Sequence, residues 1–182
     1  MINRSQMTVA RHTTFVIHSR VMTAAAKPAP ESPEKQLRSF IEKFEPKHQA
    51  LIRAVRRVMK KRLPTANELV YDNYNFFVIG YGPTERPSEA IFSITAAANG
   101  VGLAFLRGAT LPDRDKLLLG SGKLNRFLRV DTPAMFDRPE VNALISAAIQ
   151  QSRTRFRTKC CGKLIIKSIS LKQRPRRSSK TA

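Results

Sequence analysis

The run Ala90 to Leu106, AIFSITAAANGVGLAFL, is the most apolar in the chain. Read as a single helix it would be a candidate to cross a membrane. Asn99-Gly100 interrupts it, and that dipeptide suits the paired positive φ values of a tight hairpin turn. The run therefore reads as two strands, Ala90–Ala97 and Val101–Arg107, rather than one span. That reading decides the fold, because it makes the middle of the chain an antiparallel sheet.

Upstream, Leu69 to Tyr81 (LVYDNYNFFVIGY) is rich in aromatic and β-branched residues and predicts strand. Asp72-Asn73 inside it predicts a bulge or a turn that divides two short strands. Gly82 to Pro87 is a loop. Further back, Ser32 before Pro33 is a helix start, with the hydroxyl as N-cap and proline at the first helical position. Leu37, Phe40, Ile41 and Phe44 follow at helical spacing. Pro46 breaks that helix. A second helix runs to about Arg62, burying Leu51, Ile52, Val55 and Met59, and Leu63-Pro64 ends it.

Downstream, Leu111-Pro112-Asp113 opens a loop, with a helical turn predicted over Arg114 to Leu118. Leu117 to Val130 (LLLGSGKLNRFLRV) holds a glycine turn and then a strand from Leu124 to Val130. A last helix buries Val141, Leu144, Ile145, Ala148 and Ile149, with Asp137 as its cap and Pro139 just inside its start. Leu164-Ile165-Ile166 reads as a short edge strand, and Gln173 to Ala182 as disordered. Helices, then strands joined by tight turns, then a helix make an α+β fold. Its sheet is expected to be mainly antiparallel, with about four to five short strands packed against N-terminal helices and a C-terminal helix.

The chain has 182 residues and a formal net charge of +20. That length holds one domain and its tails: a flexible leader over 1–32, an α+β domain over 33–152 and a basic tail over 153–182. Residues 153–182 carry 11 Lys/Arg and no acid, so much of the excess charge lies at that end. A cationic tail favours anionic partners, nucleic acid among them. Residues 1–30, with Arg4, Arg11, Arg20 and Lys27 and no acid, resemble a transit peptide in composition. A start at Met22, giving an ordinary flexible leader, is the favoured reading. Cys160-Cys161 are adjacent, which supports neither a disulfide framework nor a zinc site.

Two groups of residues are candidates for a ligand site, and they are expected to combine in one pocket. The first is Tyr71, Asp72, Asn73 and Tyr74, with Thr84 and Arg86 in the following loop. The second is Gly120, Ser121, Gly122, Lys123, Arg126 and Arg129. A phosphate loop of the Walker type is excluded, because it requires glycine where Leu117 stands and Ser/Thr where Leu124 stands. A glycine turn still offers backbone N–H groups as an anion nest. Strand alternation puts Lys123, Asn125, Phe127 and Arg129 on one face and Leu124, Arg126, Leu128 and Val130 on the other, so the three cations do not automatically converge. Arg126, on the apolar side, needs a partner if buried, and Asp72 or Glu85 are candidates. No histidine accompanies Ser121 in sequence, so no catalytic residue is assigned. On the second helix, Arg53, Arg56, Arg57, Lys60 and Lys61 share one side, read first as a solvated face and second as an anion-binding stripe.

ELVYDNYNFFVIGYGPTER, AIFSI, LPDRDKLLLGSGK, the arginine-bearing strand after it, DRPEV and GKLIIKSISLKQRPRR together resemble the YdhG-like family, also called the domain of unknown function 1801 family. The resemblance covers roughly Pro33 to Arg177. It implies a compact α+β domain of the bacterial cytoplasm, mostly without assigned activity. One branch is described as frataxin-like and linked to intracellular iron delivery, which makes iron the one cofactor the resemblance suggests. Iron carriers of that kind use clustered carboxylates, whereas here Glu34, Glu42 and Glu45 stand among Lys35, Arg38, Lys43 and Lys47. In many relatives a histidine stands where this chain has Phe127. The residues thus point first to a non-enzymatic binding module for a small anion or a protein partner. Iron delivery, and nucleic-acid association through the tail, are the alternatives.

Overall fold

A computed structural model describes residues 31–159 and 161–177; residues 1–30 of the leader, with the start expected at Met22, Cys160 and the last five residues lie outside that range. In chain order the elements are α1 (Pro33–Glu42), α2 (Pro46–Arg62), β1 (Asn67–Asp72), β2 (Phe77–Gly82), β3 (Phe92–Ala97), β4 (Gly100–Phe105), β5 (Arg126–Val130), α3 (Pro139–Gln150) and β6 (Leu164–Ile169). The fold is α+β.

Local chemistry sets most of these boundaries. The Ser32 hydroxyl accepts from the Lys35 amide at 3.4 Å, and Pro33 opens α1. Pro46 separates α1 from α2, and Leu63 ends α2 by donating its amide to the Met59 carbonyl. Asn73 donates its amide to the Phe76 carbonyl at 3.0 Å, so Asp72-Asn73 marks a turn between β1 and β2. Two expectations fail locally. No helical turn forms over Arg114–Leu118: the Asp113 carboxylate accepts from the amides of Leu117 and Leu118, both at 2.8 Å, and Lys116 takes a φ of 53°. Asp137 does not cap α3 either. It ends a short 3-10 segment, Pro133–Asp137, and Arg138 occupies the N-cap position without a side-chain bond.

The sheet has six strands in the order β5-β4-β3-β2-β1-β6. This exceeds the four to five strands expected, and the mainly antiparallel sheet carries one parallel edge. Five strands are antiparallel neighbours, but β6 runs parallel to β1. The segment expected as a basic tail thus supplies the sixth strand and covers the edge of β1 that would otherwise present unpaired backbone groups.

Register sorts the side chains into two faces. Three rows cross the sheet on one side: Glu68, Tyr81, Phe92, Phe105 and Arg126; Val70, Ile79, Ile94, Leu103 and Leu128; Asp72, Phe77, Ala96, Val101 and Val130. The apolar members join one core with Leu37, Phe40 and Phe44, with Ile52, Val55 and Met59 of α2, and with Val141, Leu144 and Ile145 of α3. Phe40 and Phe44 both meet the Phe77 ring edge-on, with centroids 6.4 and 6.0 Å away. All three helices therefore serve one face. The intervening positions, among them Tyr71, Gly80, Ser93, Thr95, Gly102, Ala104, Phe127 and Arg129, form the other.

The β3–β4 hairpin differs in detail from its expected turn. Ala97 pairs with Gly100, so the loop is Ala98-Asn99, and of Asn99 and Gly100 only the glycine has a positive φ, at 146°. A turn centred on Asn99-Gly100 would set Phe92 opposite Arg107. The register formed sets it opposite Phe105, and the two rings pack edge-to-face at 5.5 Å. Packing overrides the dipeptide preference.

Candidate ligand-binding face

Asp72 is fully buried and points to the helix side. Its carboxylate accepts from Lys43 and from Arg176. Arg176, itself 4% exposed, also donates to the carbonyls of Asn73 and Asn75 and lies over the Phe44 ring. Gln173 donates to the Asp72 carbonyl at 3.0 Å, and Arg177 to the carbonyls of Phe44 and Glu42. Gln173 to Arg177 are therefore docked rather than disordered. The reason is electrostatic: a buried carboxylate needs charged partners, and the end of the chain supplies one. Asp72 thus acts as an anchor of the fold. Asn73 belongs to the same anchor, because its side chain accepts from Ser168 of β6 at 2.8 Å. Tyr74 is exposed, with Arg174 5.7 Å over its ring.

A second buried network explains part of the α2 cation stripe. Arg56 holds Glu68 through Nε and Nη2 at 2.8 and 2.7 Å, and Glu34 at 2.6 and 2.9 Å. The Tyr81 hydroxyl donates to Glu68 at 3.2 Å. The hydrogen bond from Arg56 lowers the Glu34 carboxyl against the opposing effect of burial. Burial, with the Glu68 charge next, raises the Tyr81 phenol well above its usual value. Arg56 is thus a structural clamp. Arg38, Arg53, Arg57 and Lys60 remain around a groove of about 360 Å³ between α1 and α2.

Thr84 and Arg86 sit in a loop closed on itself: the Thr84 hydroxyl donates to Glu89 at 2.6 Å and accepts from the Arg86 amide at 3.1 Å. They line a cavity of about 310 Å³ with Arg157, Cys161 and Lys163, and Lys163 pairs with Glu85 at 2.8 Å. The glycine turn lies at the opposite edge of the sheet. Gly120 has a φ of 105°, and a Cβ there would approach the Phe127 ring to 3.4 Å. Leu119 and Phe127 exchange both backbone bonds, which fixes the turn against β5. Ser121, Gly122 and Lys123 are exposed. Arg126 pairs with neither Asp72 nor Glu85; its guanidinium donates to the carbonyls of Gly122 and Asn125, binding the turn to itself. Arg129 points to the other face, donating to the Asn99 carbonyl at 3.1 Å and standing 3.6 Å from Asp131.

The expected residues are therefore not one pocket. Tyr71 on β1 and Arg129 on β5 lie four strand spacings apart, about 19 Å. Asp72 faces away from both. What links Tyr71 to Arg129 is the helix-free face of the sheet. Its centre is floored by small residues, Gly80, Ser93, Thr95, Gly102 and Ala104, and two compartments open on it. One, of about 410 Å³, lies between Phe76 and Phe127, with Arg129 and Asn99 at its edge. The other, of about 320 Å³, runs from Tyr71 to Asn125. Thr95 lines both, and no carboxylate lines either. The Tyr71 hydroxyl is shielded from water and has no hydrogen-bond partner among the described residues, and burial raises its pKa.

Phe76, Thr95, Gly102 and Phe127 were not among the expected site residues. For Thr95 and Gly102 the signal was present in Ala90–Leu106. Large side chains at Phe92, Ile94, Leu103 and Phe105 alternate with small ones at Ser93, Thr95, Gly102 and Ala104. A strand with bulk on one side and almost none on the other leaves a trough on the second side.

Among the described residues no group of three or more His, Cys, Asp or Glu side chains is placed to hold a metal ion, and no helix is long and apolar enough to cross a membrane. The donor set does not fit iron, because Glu34, Glu68 and Asp72 are held by arginine and lysine rather than turned to a common point. Compared with known proteins, the chain matches no family model, no curated protein and no solved structure.

Proposed function

We propose that this chain is a non-enzymatic binding domain whose site is the helix-free face of the sheet, and that it takes an anionic ligand with a planar apolar body. One observation carries the reading: the compartment between Phe76 and Phe127 joins two exposed rings, a small-residue floor at Thr95 and Gly102, and the Arg129 guanidinium, with no lining carboxylate. Rings and floor suit a flat apolar body, and Arg129 suits its charge. Ser121 is exposed, and the only described histidine, His48, is on α2 across the core. A nucleophile paired with a base is not the chemistry these residues favour.

Calorimetric titration with 1-naphthoate, a planar aromatic carboxylate, tests the reading. Saturable binding to the native chain is expected. Arg129→Ala is expected to weaken it about tenfold through loss of a charge-assisted hydrogen bond, with the melting temperature unchanged. No binding, or equal binding by the variant, rejects the reading.

A further inference from the structure

We infer that the natural ligand of this face is single-stranded nucleic acid. The inference rests on the face being the binding site, as proposed above, and adds the class of partner.

Geometry comes first. Two compartments sit side by side on one face and meet at Thr95. A lone small molecule needs one of them; a strand of nucleic acid presents successive flat bases to both. The rings of Phe76 and Phe127 are 51% and 43% exposed, and Tyr74, on the turn beside Phe76, is 48% exposed. Rings left in water at this density are an unfilled contact surface. Every base has a π-face, so such rings hold single strands with little regard to sequence. The small floor lets a base lie close to the sheet. Its polar atoms, the hydroxyls of Ser93 and Thr95 and the side chain of Asn125, face the edges of such a base. The Tyr71 hydroxyl, which has no partner among the described residues, gains one there.

Charge comes second. Each nucleotide brings a phosphate, and Arg129 stands beside Phe127 with Lys123 exposed on the adjoining turn, while on the β1–β2 turn Arg174 lies over the Tyr74 ring. The chain's net charge of +20 draws a polyanion towards this surface. The α1–α2 groove is also cationic, but Arg38, Arg53, Arg57 and Lys60 have no ring among them to stack a base. A duplex keeps its bases stacked inside and cannot use the rings. The face therefore selects single strands over double ones.

Fluorescence anisotropy with a labelled oligouridylate of about ten nucleotides tests the inference. The full-length chain is expected to bind it, and to prefer it at least tenfold over a duplex of equal length at physiological salt. Phe76→Ala and Phe127→Ala are each expected to weaken binding about tenfold by loss of stacking. Phe127→Tyr is expected to restore it. Both side chains are half-exposed, so the variants should keep the native melting temperature. Equal binding of the duplex, no effect of either alanine variant, or full displacement by polyglutamate at matched charge overturns the inference. If 1-naphthoate binds and oligouridylate does not, the nucleic-acid inference fails and the binding face stands. If neither binds, the proposed function itself has failed.

Discussion

Arg176 donates to Asp72 at 3.2 Å across 104 residues of sequence, with both side chains buried. The contact ties the end of the chain to the β1–β2 turn and keeps β6 beside β1. It also changes the meaning of the basic C-terminus. Part of that charge is committed to the fold and is not available to a distant partner.

Removing Arg176 leaves Asp72 buried with Lys43 as its remaining charged partner. Arg176→Ala should therefore cost about 3 kcal/mol of stability, the usual scale for breaking one side of a buried pair. Truncation before Gln173 should cost at least as much. Denaturant midpoints measure both. A truncated chain as stable as the native one would show that the C-terminal segment is not an anchor.

Gly162 tests the docking of β6 more locally. Its amide donates to the Pro64 carbonyl at 3.1 Å, and a Cβ at this position would lie 1.7 Å from the Ala66 carbonyl oxygen. No side chain fits without moving β6 away from β1. Gly162→Ala should lower stability by about 2 kcal/mol or more, and hydrogen exchange at the Glu68 amide, which donates to the Lys163 carbonyl at 2.8 Å, should accelerate. Unchanged exchange would contradict the placement.

Glu34 gives the fold a defined acid response. The hydrogen bond from Arg56 lowers its carboxyl below the ordinary value of 4.5. A lowered carboxylate contributes stability above its unfolded value, and the contribution fades as pH falls through the folded one. Glu34→Gln should therefore be less stable than the native chain at neutral pH. The gap should close below about pH 4.5. Thermal melts of both proteins across that range check the sign, and a gap that widens in acid would refute it.

Much of this architecture was legible because single residues dictate it. Ser32-Pro33, Pro46 and Leu63-Pro64 set the helix limits through capping and a missing N–H. Asn99-Gly100 divided the apolar run Ala90–Leu106 into the two strands of a hairpin. Long-range pairings were hidden. Nothing local in GKLIIKSI says that it runs parallel to β1, and nothing near Arg176 names Asp72 as its partner. Asp113 capping the amides of Leu117 and Leu118 overrode a helical preference in the same way. The candidate site divided along the same line. Arg129 and Tyr71 were named as candidates because polar residues on strands stand out. Thr95 and Gly102 were missed because a floor is defined by side chains that are small, and smallness draws attention only once the opposite face is known.

The central claim is that the helix-free face binds ligand, and residue-resolved NMR with 1-naphthoate tests it most directly. Amide shifts are expected at Thr95, Gly102, Phe127 and Arg129, with Arg38, Arg53 and Arg57 on the helix side unmoved. Shifts centred on the α1–α2 groove, or on Arg86, Arg157 and Lys163, would contradict it.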